Sequence, residues 1–272
     1  MESNRQMNDW IVRYGFLYKK RNSNKQKDKF IQAFLSDVLT IRDDINVIEI
    51  EEKKRKYHNI YIGDISNADK IISTYFDTPI VSFGDYSFTD TKKNKRNTLA
   101  RITFESIAVL IIGLVIFFFL MKVLEGKILT TSLTVFTLFF FYVFDGIVKG
   151  RASSRTQVRN TSSVIEVLSL LEKYKNNKNI AFAIVDGGCT NYVGLAILCT
   201  SVKQKAQIVE LDSVGVNEDL VLKEFFHEIA NRKIMKLYPK IENPRKVLLF
   251  KKIDSYTLIS QHQKIETILE EL

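Results

Sequence analysis

The pattern of apolar and polar positions divides the chain into three kinds of stretch. Residues 102–121 are apolar except for Thr103, Glu105 and Ser106, and residues 128–144 are apolar apart from hydroxyl side chains. At 1.5 Å per residue, about 20 apolar residues cover a hydrocarbon core of roughly 30 Å. The two runs are joined only by Leu124-Glu125-Gly126-Lys127. They predict an antiparallel pair of transmembrane helices, with spans at about 102–123 and 128–148. Glu105 and Asp145 each fall near one end of a span, where a carboxylate reaches the interface.

Elsewhere the period is shorter. Phe30, Phe34, Val38 and Ile41 recur at helical spacing. Residues 46–50, 58–63 and 70–74 read as three strands, the third ending in a loop at Pro79. Beyond the spans, Val164, Val167, Leu168 and Leu171 mark a helix capped by Thr161 or Ser162. Residues 180–185 are unbrokenly apolar, as in a strand buried on both faces, and lead directly into Asp186-Gly187-Gly188. A short helix over 192–201 and a strand over 206–211 follow. Next come a helix from Asn217 with Leu222, Phe225, Phe226 and Ile229 inside, a strand over 246–250, and a helix over 263–272. This alternation predicts an α/β body with a central sheet. The expected organisation is a basic N-terminal segment with a helix (1–44), the first part of the body (45–97), the hairpin (98–149) and the second part of the body (150–272).

Charge refines this picture. The 272 residues carry a net charge of +9. Lys92, Lys93, Lys95, Arg96 and Arg101 precede the first span, and Lys149, Arg151, Arg155 and Arg159 follow the second. The turn side has Lys122 and Lys127. Basic flanks stay cytoplasmic, so both arms and both termini are expected there, in a multi-pass cell-membrane protein. Attraction to anionic lipid heads accounts for the charge without a nucleic-acid partner. The basic run from Tyr18 to Lys29 is expected on the membrane surface or mobile. Cys189 and Cys199 form no Cys-x-x-Cys pair and should be reduced thiols. There is no Gly-x-Ser-x-Gly elbow and no phosphate-cradling loop. The first 40 residues contain no apolar core of a signal peptide.

Several segments, in order, resemble one family. They are Tyr57-His58-Asn59-Ile60-Tyr61-Ile62-Gly63-Asp64, Asn67-Ala68-Asp69-Lys70-Ile71-Ile72 and Tyr75-Phe76-Asp77-Thr78-Pro79. Further on come Arg159-Asn160-Thr161-Ser162-Ser163, residues 180–186, Val209-Glu210-Leu211-Asp212-Ser213-Val214-Gly215 and residues 262–267. Together they are similar to the co-catalytic zinc aminopeptidases, which include bacterial leucyl aminopeptidases, glutamate carboxypeptidase II and glutaminyl cyclases. The resemblance implies a three-layer α/β domain with a mixed central sheet, here interrupted by the transmembrane hairpin. It also implies a site of five ligands and a glutamate base that would hold two zinc ions and generate a hydroxide between them.

Here the chain departs from the pattern. Tyr75 stands at the first histidine, Arg159 at the bridging aspartate, and Gly188 and Cys189 at the glutamate pair. Asp77 matches as an orienting residue, and Asp212 and His262 match as ligands to different metals. The expectation is therefore a vestigial pocket with no catalytic residue and no metal or cofactor. In it, Arg159 would offer its charge to Asp212 or Asp77. Cys189 is expected to be a buried thiol, since no histidine has a claim to activate it. The hairpin enters between the Asp77 and Arg159 loops, so the pocket is expected to face the membrane. It would hold a peptide or a membrane-protein segment there, in a setting of bacterial peptide export, maturation or immunity. Two alternatives stand beside this. One is an active zinc peptidase with displaced ligands, such as Asp212, His262, Asp85 and Asp186. The other is a structural subunit of a membrane complex with Thr131, Ser132, Thr134 and Thr137 at helix contacts.

Overall fold

A computed structural model describes residues 2–52, 55–150, 152–153, 157–189, 191–227, 231–242, 244, 247–248 and 251–272. The chain divides into two compact units: Met1–Pro79 with Ser153–Leu272, and Ile80–Ala152.

The first unit is built on a seven-stranded mixed sheet, in the order β1-β2-β4-β3-β5-β7-β6. Its strands are β1 (Ile45–Glu52), β2 (Arg55–Ile62), β3 (Lys70–Tyr75), β4 (Ile180–Val185), β5 (Gln207–Leu211), β6 (Leu220–His227) and β7 (Arg232–Pro239). The central strands β4, β3, β5 and β7 are parallel; β1, β2 and β6 are antiparallel to their neighbours. Parallel strands need cover on both faces. On one face α6 (Val193–Ser201) packs Leu195 and Leu198 against Ile71, Ala181, Ala183 and Ile208. On the other, α5 (Ser162–Lys173) lies between the sheet and the helices α1 (Glu2–Val12) and α7 (Ser255–Glu270). With neighbours on both sides, α5 is buried from Ser162 to Leu171. The helix α2 (Asn24–Val38) stacks Phe30 on Phe76 with 5.0 Å between centroids.

Three sequence readings are corrected. The segment from Asn217 is not a helix: Leu220–His227 forms β6, paired residue for residue with β7, a strand the periodicity did not predict. Helical spacing at Leu222, Phe225 and Phe226 is overridden by non-local pairing. The strand expected over 246–250 falls mostly outside the described residues, and Val247 and Leu248 within it are helical. The basic run near the N-terminus is not wholly at the surface. Arg21 is fully buried and Lys27 nearly so, because each meets polar partners in the interior.

The second unit contains α3 (Thr91–Val123) and α4 (Gly126–Val148), both long and apolar enough to cross a membrane. Only 6% of the most apolar window of either helix is buried. Gly113 provides a notch for the Phe140 ring; a Cβ there would lie 2.3 Å from Phe140 Cε2. Residues 80–97 group with this helical pair rather than with the sheet.

Candidate functional site

Open α/β sheets take their ligands at the carboxyl ends of the strands. Here those ends hold Tyr75 and Asp77 after β3, Asp186 to Cys189 after β4, and Asp212 and Ser213 after β5. The π-helical turn Gln157–Thr161 enters α5 beside them.

Asp212 is the best-engaged group. Tyr75 Oη donates to its Oδ1 at 3.0 Å and Ser213 Oγ donates at 2.7 Å. Lys236 Nζ lies 2.7 Å from its Oδ2 and 3.3 Å from Glu210 Oε2. Glu210 and Lys236 are register partners on parallel β5 and β7, so their side chains share one face. All five residues are buried. Burial alone would raise the Asp212 carboxyl. The Lys236 ammonium, helped by Ser213 and the Arg159 charge, reverses this and holds it below the usual range. Glu210, farther from the same ammonium, is pushed up by burial.

A second cluster surrounds Asp77. Its carboxylate accepts the Cys189 N–H at 3.1 and 3.2 Å, and Cys189 Sγ donates to the Asp77 carbonyl at 3.1 Å. Asn160 Nδ2 ties the adjoining turn to the carbonyls of Tyr75 and Asp77 at 2.9 and 3.1 Å. Burial, then the nearby Asp186 charge, push the Asp77 carboxyl up to about 7. Burial and Asp77 push the Cys189 thiol well above its ordinary value, against the opposing charges of Arg159 and Arg21. A protonated thiol is a poor nucleophile.

Asp186 is neutralised by Lys27, whose Nζ lies 2.7 and 2.8 Å from its oxygens. It also accepts the Gly187 N–H at 2.7 Å. Arg21 reaches in from the same N-terminal segment. It donates to Asn160 and, at 3.0 Å, to Thr161 Oγ1; its backbone N–H donates to Thr78 Oγ1 at 3.1 Å and its carbonyl accepts the Thr78 N–H at 3.3 Å. The Thr161 hydroxyl is thus used for tertiary contacts and does not cap α5. Burial lowers the Arg21 guanidinium to about 10.

The structure therefore brings Tyr75, Asp77, Gly188, Cys189 and Asp212 together. The Arg159 charge acts on Asp212 and Cys189, and its carbonyl accepts from Ser213 Oγ at 3.1 Å. Gly188 lies flat under Tyr75; a Cβ there would stand 2.2 Å from Tyr75 Cβ. His262 bonds elsewhere: Nδ1 to Glu166 Oε1 of α5 at 2.7 Å and Nε2 to Glu266 at 2.9 Å. Lys236 is in direct contact with Asp212. Lys236, Lys27, Arg21 and Glu210 were not identified from sequence. The one available signal was Lys236 at two-residue spacing from Ile234 and Tyr238, which in a strand puts all three on one face.

Zinc, which the resemblance would call for, does not fit these residues. Asp212 and Asp186 each carry an ammonium within 2.8 Å. Among the described residues no three His, Cys, Asp or Glu side chains are grouped to hold a metal ion. Of the displaced set, Asp212, His262 and Asp186 are likewise committed to Lys236, to Glu166 with Glu266, and to Lys27 respectively, and Asp85 is exposed and belongs to the other unit.

No protein-family model and no curated protein sequence matches the chain. Solved structures do. A glutaminyl cyclase of Tannerella forsythia superposes with TM-score 0.56 at 10% identity, covering 97% of each chain. A leucine aminopeptidase precursor of Bacteroides thetaiotaomicron gives 0.53 at 9%, covering 97% of this chain and 93% of that one. A Zn-dependent exopeptidase of Parabacteroides distasonis gives 0.50 at 10%, covering 98% and 96%. The chain thus has the α/β fold shared by aminopeptidase-like exopeptidases and glutaminyl cyclases.

Proposed function

We propose that this chain is a membrane-anchored, non-hydrolytic protein of the aminopeptidase fold. Internal cations stand where such a site would need metal, and the domain binds a peptide or a membrane-protein segment at the cytoplasmic face. The observation that carries the reading is the Lys236 ammonium 2.7 Å from Asp212, both fully buried. A divalent ion would have to displace that ammonium and would meet the Arg159 charge as well. The exposed surfaces of α3 and α4 support anchoring: a core helix of a soluble domain would be buried. Their basic flanks support placing both arms in the cytoplasm.

A second reading, a structural subunit of a membrane complex, is favoured by the filling of the strand ends. Tyr75 is packed against Gly188, and Arg21 and Lys27 pin the N-terminal segment across the Asp77 and Asp186 loops. Co-purification of a membrane protein that survives Tyr75→Ala and Arg21→Ala would select it.

The test of the main reading is the zinc content of the detergent-purified protein, with Asp212→Ala alongside. The expected result is no zinc above the mutant and no release of amino acids from leucyl peptides. About one zinc per chain, lost in the mutant, would overturn the reading.

A further inference from the structure

The helix α3 begins well before its apolar stretch. At 1.5 Å per residue, the turns from Thr91 to Arg101 extend about 16 Å beyond Ile102. This extension has two faces. Asn94, Asn97 and Arg101, at helical spacing, carry the preceding loop. Asn94 Nδ2 donates to the Ser87 carbonyl at 2.7 Å, and the Ser87 N–H returns to Asn94 Oδ1 at 2.9 Å. The Phe83 N–H donates to the Asn97 carbonyl at 3.3 Å. The Arg101 guanidinium lies 5.5 Å from the Phe83 ring, which packs edge-on against Phe104 at 5.8 Å. Asp90 caps the helix through the Lys93 N–H at 2.8 Å.

The other face holds Lys92, Lys93, Lys95, Arg96, Leu99 and Ala100, all exposed. At 100° per residue these six fall within an arc of about 160°. The arc contains no acid, and Leu99, 61% exposed, lies within it between Lys95 and Lys92. Four cations around one apolar side chain, on a helix just outside a stretch of membrane-spanning length, match the charge and layering of an acidic headgroup region.

We propose that this face docks anionic phospholipid headgroups, the cations on phosphate and Leu99 at the acyl boundary. The proposal rests on the membrane reading above. The full-length protein is reconstituted in phosphatidylcholine vesicles containing a minor share of phosphatidylglycerol. It is re-extracted in mild detergent, and its retained lipid is quantified by mass spectrometry. The expected result is phosphatidylglycerol enriched about three- to tenfold over the bulk ratio. In the variant Lys92→Gln/Lys93→Gln/Lys95→Gln/Arg96→Gln it should return to bulk, whereas Lys122→Gln/Lys127→Gln at the opposite ends of the helices should leave it unchanged.

Carbonate washing of the same vesicles separates the two ideas. Protein released by carbonate overturns the membrane reading and this one with it. Protein that is retained but shows no enrichment, or the same enrichment in the fourfold variant, overturns headgroup docking alone. An acidic protein surface would then be the occupant of this face.

Discussion

Replacing Lys236 by Met tests the internal-cation site most directly. The side chains are similar in length, so the packing change is small and the loss is that of the ammonium. Two buried carboxylates lose their counter-charge: Asp212 at 2.7 Å and Glu210 at 3.3 Å. Breaking a buried ion pair from one side costs about 3–5 kcal/mol. For a domain of roughly 200 residues each kcal/mol moves the melting temperature by about 2–4 °C, so a fall of about 6–20 °C is expected.

The pH dependence has a definite sign. In the native protein the Asp212 pKa is depressed. Its contribution is therefore present above the unfolded value of about 3.9 and is lost as pH falls through the native value. Without Lys236, burial raises both carboxyls. Their ionisation then destabilises the fold above the unfolded pKa, and acidification relieves it. The gap between Lys236→Met and wild type should thus be widest at neutral pH and narrower near pH 5. Lys236→Met/Asp212→Asn should recover part of the loss, because the amide needs no counter-charge. The assay is thermal unfolding of the detergent-solubilised protein followed by circular dichroism. A Lys236→Met protein that melts within about 2 °C of wild type, or a gap that does not narrow with acid, refutes the argument.

Gly188→Ala should lower stability by about 1–3 kcal/mol, since its Cβ meets Tyr75 Cβ at 2.2 Å. Combining it with Tyr75→Gly, which removes that Cβ, should give less than the sum of the two single losses, and additive melting shifts would contradict the contact. His262→Gln removes the charge that serves Glu166. Burial lowers the histidine, but Glu166 and Glu266 outweigh it and its pKa is raised. The contribution is therefore complete below the unfolded value of about 6.5 and lost as pH rises through the native one. A denaturation gap of about 1–2 kcal/mol at acidic pH should close toward alkaline pH; a gap that widens instead would exclude this pairing.

Much of the fold was legible because its signals are local. The apolar run in 180–185 describes a strand covered on both faces, and β4 is buried accordingly; the alternation in 58–63 marked a strand but not its burial, since Asn59 and Tyr61 are buried as well as Ile60 and Ile62. The error at 220–227 has the same origin. Phe225 and Phe226 fit a helical face as well as a strand, and pairing with 232–239 decided between them. The departures expected at Tyr75, Arg159, Gly188 and Cys189 came from reading the resemblance position by position. That Gly188 is glycine because Tyr75 lies on it could not be read that way, since the two are far apart in the chain.

The sequence by itself determined where two helices of membrane-spanning length lie. Apolar length is a property of consecutive residues, and about 20 of them suffice. Through the resemblance it also led to the expectation that the acids and histidine of a two-metal site are mostly replaced. Only the tertiary structure decided what neutralises the acids that remain. Lys27 comes to Asp186 from the N-terminal segment and Lys236 to Asp212 from a neighbouring strand, while His262 turns to Glu166. The physical reason is that a lysine in a sequence reads as a solvated charge. It becomes a buried counter-ion only when folding removes water from it and from one particular carboxylate together.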